Sequence, residues 1–180
     1  MNVQDLRAAV LSGQRFSYLL FWGHRPGLRL GPTCLSQWFV APFEEDGVRY
    51  RTAEHYMMAG KARLFGDDEA LEAILEEPEP GKVKRWGRRV RGFKGSVWDA
   101  ERFEIVTRGN VAKFGHDPRM RAFLLNTGDK VLVEASPQDR IWGIGMSAKD
   151  ERAENPLEWQ GKNLLGFALM AARERLRVAG

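Results

Sequence analysis

The chain has 180 residues, 43% of them hydrophobic, and a formal net charge of +4. That length fits one domain with a real core, and the charge falls well short of a dedicated nucleic-acid binder. The single Cys34 excludes an internal disulfide framework and a multi-cysteine zinc site, and no apolar run approaches a membrane span, so a cytoplasmic protein is expected.

Residues 1–15, which lack the apolar core of a signal peptide, read as an N-terminal extension. It carries a short, loosely held helix from Leu6 to Leu11 that Gly13 ends. Phe16 to Trp22 (FSYLLFW) is an aromatic, apolar run that fits a buried strand. A loop rich in Gly, Pro and Arg follows from Gly23 to Pro32 and holds His24, Arg25 and Arg29. Asp46-Gly47 signals a turn, and EEDG is expected to join Trp38–Phe43 to Val48–Tyr50 as a hairpin. Thr52 then suits an N-cap for a helix that runs to about Phe65 and stops at Gly66.

Asp67 to Glu79 holds seven acidic residues and no basic ones; Lys82 to Lys94 holds seven basic residues and no acidic ones. Such blocks are either solvated helix faces or fields that steer an anionic ligand. The acidic block carries a buried stripe of Ala70, Leu71, Ile74 and Leu75 until Pro78 breaks it. In the basic block Val83, Trp86, Val90 and Phe93 recur at helical spacing, although Gly87 and Gly92 weaken that reading. Trp98 to Phe114 is the longest helical pattern, and Arg119 to Asn126 is a shorter helix closed by Gly128. Val131 to Ala135 is a strand by its β-branched content. Ser136 to Gly145 is a turn with spaced glycines, 148–156 is a polar loop, and Gly161 to Val178 is a final helix. The sum is a helix-rich α+β single domain with a few short strands.

Three places bear chemistry. Glu54 and Lys61 are two helical turns apart in RTAEHYMMAGK and share a face. They form either a surface ion pair or the acid/base end of a site. An apolar setting raises a carboxyl pKa and lowers that of a lysine, and Gly60 beside Lys61 allows a ligand or backbone to come close. In SPQDRIWGIG, the Gly143 and Gly145 backbone, Trp142 and Asp139 either hold a phosphate and ribose or make a tight turn with a core Trp. Asn163 suits a helix cap, next to a helix start that also attracts anions. The three histidines, His24, His55 and His116, have no metal-motif neighbours, and no P-loop, dinucleotide fingerprint or nucleophile elbow occurs.

Taken in order, LSQWFVAPFEEDGVRYRTAEHYMMAGKARLF, WDAERFEIVTRGNVAKF, LVEASPQDRIWGIG and WQGKNLLGFALMAARERL resemble the signatures of the YbiA-like, or NADAR, family. The resemblance covers about residues 16–177 and implies a YbiA-like domain over 16–180. It implies an N-glycosidase without metal or cofactor. Two substrate classes follow from it: phosphoribosylamino-pyrimidine intermediates of riboflavin biosynthesis, releasing ribose 5-phosphate, and ADP-ribose attached to guanine, free or in nucleic acid. A silent ADP-ribose or nucleotide binding module is the reading from another class. By the resemblance Glu54 and Lys61 match the charged helix pair, and Asp139, Trp142 and Asn163 match later polar and aromatic positions. Glu54 is expected as the acid/base group and Lys61 as an electrostatic or imine-forming partner. Tyr56, Trp98 and Trp142 are expected around the substrate, with Arg29, Lys113 or the Gly143–Gly145 backbone at its phosphate. Gln37 and Arg51 depart from the usual Asn and Pro of the pattern, which bears on base or ribose preference.

Overall fold

The computed structural model describes residues 1–179. Strand β1 (Tyr18–Phe21) pairs in parallel with β4 (Val131–Glu134), Tyr18 opposite Val131 and Phe21 opposite Glu134. A second pair, β2 (Phe43–Glu45) and β3 (Val48–Tyr50), is an antiparallel hairpin. Around them lie α1 (Val3–Leu11), α2 (Ala53–Leu64), α3 (Asp68–Glu76), α4 (Pro80–Arg88), α5 (Gly95–His116), α6 (Pro118–Leu125) and α7 (Leu164–Val178). This is the helix-rich α+β architecture that the pattern predicts. Among the described residues no helix is long and apolar enough to cross a membrane.

Helix α2 is the central element. Eight of its residues are buried, Glu54 and His55 among them, so it has no solvent face of the usual kind. Thr52 caps it by accepting the His55 N–H. The His55 ring then bonds Thr52 Oγ1 at 2.8 Å and the Glu77 carbonyl at 2.7 Å, tying the start of α2 to the end of α3. Helix α4 runs alongside, and a Cβ at Gly87 would collide with Met58 Sδ. Gly87 therefore stays helical because its missing side chain lets α4 and α2 touch. The helix ends at Arg88, short of the predicted 82–94, and Gly92 turns the chain with φ +68°. Val90 and Phe93 fall in that turn.

Strand β4 sits between two cores. Leu132 points into the main cluster with α2, α5 and α7, while Val131 and Val133 pack with Leu6, Ile144, Trp159 and Phe167. The N-terminal helix is not loosely held. Asn2 and Asp5 form a capping box that starts it at Val3, Leu6 is fully buried, and Arg7 donates to the Pro156 and Trp159 carbonyls at 2.9 and 2.7 Å. The hairpin is shorter than predicted. Asp46 and Gly47 both take positive φ, a two-residue turn that pairs Glu45 with Val48 and leaves 38–42 outside the strand.

Helix α7 meets β4 closely at Gly166, where a Cβ would strike the Leu132 carbonyl and the Asn163 amide. A backbone carbonyl cannot step aside as a side chain can. Gly166→Ala is expected to cost at least about 1–3 kcal/mol, read as a lower urea midpoint with the slope unchanged. A midpoint equal to that of the parent would show that the helix lifts off the strand without penalty.

Candidate active site

Two parallel strands end side by side, and the chain leaves both on the same side of the sheet. Open sheets bind ligands outside the carboxyl ends of parallel strands. Here β1 runs out into Trp22–Arg25 and β4 ends on Glu134, and both border a cavity of about 860 Å³. Its walls also carry Gln37 and Trp38, Glu54 and Met57 of α2, Lys84 and Arg88 of α4, and Ser136, Asp139 and Trp142.

The first turn of α2 presents Glu54. Its N–H donates to the Gln37 carbonyl at 2.9 Å, which fixes the helix start against the 36–38 segment. Gln37 is itself buried, and its Oε1 accepts from Asn110 of α5 at 3.0 Å. Only 4% of Glu54 is exposed, so burial pushes its carboxyl up to about 7, with the Lys84 charge and the Trp38 side chain working against that rise. Glu134 is half-buried and is pushed up to about 8, first by burial and then by the charges of Asp139 and Glu54. Two carboxyls raised toward neutrality in one cavity, with a lysine whose charge acts on both, have the titration range that acid/base chemistry needs.

Aromatic rings border the same space. Trp38 lies 5.5 Å from the His24 ring between centroids, and Lys84 Nζ lies 5.9 Å from the Trp38 ring. Trp142 borders the cavity from the turn after β4. Asp139 holds that turn. Its Oδ1 accepts the N–H groups of Ile141 at 2.9 Å and Trp142 at 2.7 Å, which leaves Oδ2 without a hydrogen bond among the described residues. Asp139 and Trp142 thus have the structural roles considered for them in the sequence and also border the cavity.

The other expected residues lie elsewhere. Lys61 shares a face with Glu54, but seven residues of helix place it about 10 Å farther along the axis. There Nζ donates to the Gly87 carbonyl at 2.7 Å and lies 4.1 Å from the Phe93 ring and 5.5 Å from the Trp98 ring. It closes the end of α4 and does not border the cavity, and Trp98 packs beside it. Gly60 faces Ile105 of α5 and no ligand space. Tyr56 belongs to an aromatic cluster with Phe43 and Tyr50.

The backbone of the Gly-rich turn is also used internally. Gly145 N–H donates to the Asp139 carbonyl at 3.1 Å, Ile144 N–H to the Glu134 carbonyl at 2.9 Å, and a Cβ at Gly143 would press on both carbonyls. Asn163 is fully buried with φ +52° and does not cap α7 with its side chain. Oδ1 instead accepts the Glu134 N–H at 3.0 Å and Nδ2 donates to the Leu132 carbonyl at 2.9 Å, so Asn163 positions the end of β4. Arg29 and Lys113 come together, but in a separate cavity of about 410 Å³.

Sequence reasoning missed Lys84, Glu134, Trp38 and Arg88. Lys84 and Arg88 are four apart, one helical face, and that spacing was a usable signal. Glu134 ends an apolar strand, where a carboxylate is unexpected unless it has work to do at the strand end.

A NADAR domain model matches residues 20–177. The chain belongs to the NADAR domain family. This NADAR domain is 44% identical over 162 residues to N-glycosidase R617 of Acanthamoeba polyphaga mimivirus, covering 87% of this chain and 95% of that protein. It is 32% identical over 137 residues to N-glycosidase YbiA of Escherichia coli, covering 76% and 77%. The NMR structure of E. coli YbiA superposes with a TM-score of 0.72 at 26% identity, over 92% of this chain and 88% of that one. A riboflavin biosynthesis protein of Zea mays, PYRR, matches at 32% over 138 residues, 73% of this chain but 20% of that protein. The NADAR domain described here is accordingly an N-glycosidase, a hydrolase of N-glycosyl bonds.

Proposed function

We propose that the bond cleaved joins a nitrogen of a pyrimidine-like base to C1 of a ribose 5-phosphate, as in the phosphoribosylamino-pyrimidine intermediates of riboflavin biosynthesis. The observation that carries the reading is the pair of raised carboxyls beside Lys84 and Arg88 in one aromatic-walled cavity. The maize relative's name supports the substrate class.

The chemistry divides among these groups. Glu134 keeps its proton to higher pH and donates it to the leaving nitrogen as the C1–N bond breaks. Glu54, whose ionised form Lys84 and Arg88 support, takes a proton from the water whose oxygen bonds C1. One proton goes to the base, one returns to the carboxyl pair, and the products are the free amine and ribose 5-phosphate. Lys84 and Arg88 also meet the phosphate, and Asp139 Oδ2 meets ribose hydroxyls. Trp38 and Trp142 hold the planar base. Turnover is expected to rise as Glu54 ionises near 7 and fall as Glu134 ionises near 8, giving a bell with its maximum between them in kcat/KM against pH. A profile flat from pH 6 to 9 would remove the carboxyl pair from the chemistry.

A second reading is favoured by the size of the cavity and the basic face of α4 at its edge: removal of ADP-ribose from guanine. Side-by-side assays at matched concentration, with a phosphoribosylamino-pyrimidine and with ADP-ribosylated single-stranded DNA, separate the two. Faster release of ribose 5-phosphate supports the first; faster release of ADP-ribose replaces it with the second.

A further inference from the structure

The smaller cavity, about 410 Å³, lies across Thr33 from the candidate active site, and Thr33 borders both. Lys113 of α5 lies in its wall with only 1% of its surface exposed. Its Nζ donates to the Cys34 carbonyl at 2.7 Å and the Ser36 carbonyl at 2.8 Å. Among the described residues its partners are these carbonyls and the Phe39 and Phe114 rings, with no carboxylate among them. Burial without a counter-charge holds the Lys113 pKa down to about 7, so near neutrality the ammonium is only partly formed and an anion placed beside it would favour the charged form.

Arg29 and Arg119 also line the cavity, beside His116, and Arg29 has no ion-pair or hydrogen-bond partner among the described residues. The one carboxylate, Asp117, is already occupied: Oδ1 accepts the N–H groups of Arg119 and Met120, and Oδ2 pairs with Arg119 Nη2 at 3.2 Å. Leu28, Phe39 and Val40 supply apolar wall, and Leu28 and Val40 are exposed.

We propose that this second cavity is a phosphomonoester-binding site, distinct from the catalytic cavity, in which the ligand's dianion supplies the missing counter-charge to Lys113 and is clamped by Arg29 and Arg119. A dianionic tetrahedral group suits several cations that approach from different sides. The apolar wall takes the body of the ester. The ligand also acts on the neighbouring site. Lys113 holds the 34–36 segment, and Ser36, Gln37 and Trp38 carry that segment into the catalytic wall. This inference does not depend on which N-glycoside is hydrolysed.

Calorimetric titrations with inorganic phosphate and with phenyl phosphate test it. The Lys84→Met variant removes one of the two cations placed at the phosphate in the catalytic cavity, and binding that remains is assigned to the second cavity by its loss with Arg29→Ala. In that background phenyl phosphate is expected to bind saturably at one site, and more tightly than inorganic phosphate. Adding Arg29→Ala, an exposed position where folding is safe, is expected to weaken binding at least tenfold. Equal affinities for the two probes would assign the site to the phosphate group alone and still support it. Absence of saturable binding in Lys84→Met, or unchanged binding after Arg29→Ala, would overturn the proposal.

Discussion

Replacing Glu54 with Gln is expected to lower N-glycoside hydrolysis by about 100- to 10,000-fold, the range for loss of a positioned acid or base. Gln keeps the volume and the polarity of the buried position but cannot exchange the proton. The same change has an opposite effect on stability. The folded-state pKa of Glu54 is raised to about 7, so the folded protein holds this proton more tightly than the unfolded chain does. Stability from this group is complete below the unfolded carboxylate pKa and is lost as pH rises through 7. Gln removes that loss. At pH 8 the variant is expected to be more stable than the parent by about 1–3 kcal/mol, and at pH 4 by nothing. Thermal melts at the two pH values, run beside the activity assay, read both effects. Near-parental turnover would take Glu54 out of the reaction. A variant destabilised at pH 8 would mean that its carboxylate, and not its proton, holds the fold.

Lys84→Met and Lys61→Met are expected to part company. Lys84 faces the cavity and its charge acts on both carboxyls. Its loss would remove the proposed phosphate contact and electrostatic partner of the developing charge, an expected loss of about 100-fold or more in kcat/KM. It also removes a charge that lowers the Glu54 pKa, so the acid limb of the pH profile moves to higher pH. A merely structural lysine would not move that limb. Lys61→Met breaks a hydrogen bond to the Gly87 carbonyl and a contact with the Phe93 ring. It is expected to cost about 1–2 kcal/mol of stability and leave the pH profile where it is. The reverse pattern, with the limb shifted by Lys61→Met alone, would return Lys61 to the chemistry and discard Lys84.

The local features were legible because local physics decides them. Thr52 is a cap, Asp46-Gly47 is a turn, and the crowded, apolar AEHYMMA run is a buried helix. Glu54 could be found because a carboxylate inside such a run has to be buried. Lys84 was hidden for the opposite reason. It sits in a run of cations, most of which are solvated, and only the hairpin-side Trp38 and the end of β4 make it different. Glu134 became visible only when β4 was paired with β1, a parallel contact that no short window of sequence contains. Lys113 was expected at the substrate's phosphate from its charge, yet α5 buries Arg102, Thr107, Asn110 and Lys113 as well as its apolar stripe, and Lys113 lines the smaller cavity instead. Asn163 was assigned to the nearest helix start, whereas its amide serves a strand thirty residues upstream in space-filling contact with α7.

The parallel ribbon of β1 and β4 has a consequence for how the protein comes into being. Its first strand leaves the ribosome early, but its partner emerges only after α2, α4 and α5. Parallel pairings between distant segments form late, since the loop must close before the contact rewards it. Glu54 and Lys84 therefore wait for Glu134, Asp139 and Trp142, and Asn163 must follow before the end of β4 is fixed. A chain released before α7 would therefore carry only part of the candidate site, with the end of β4 not yet held by Asn163.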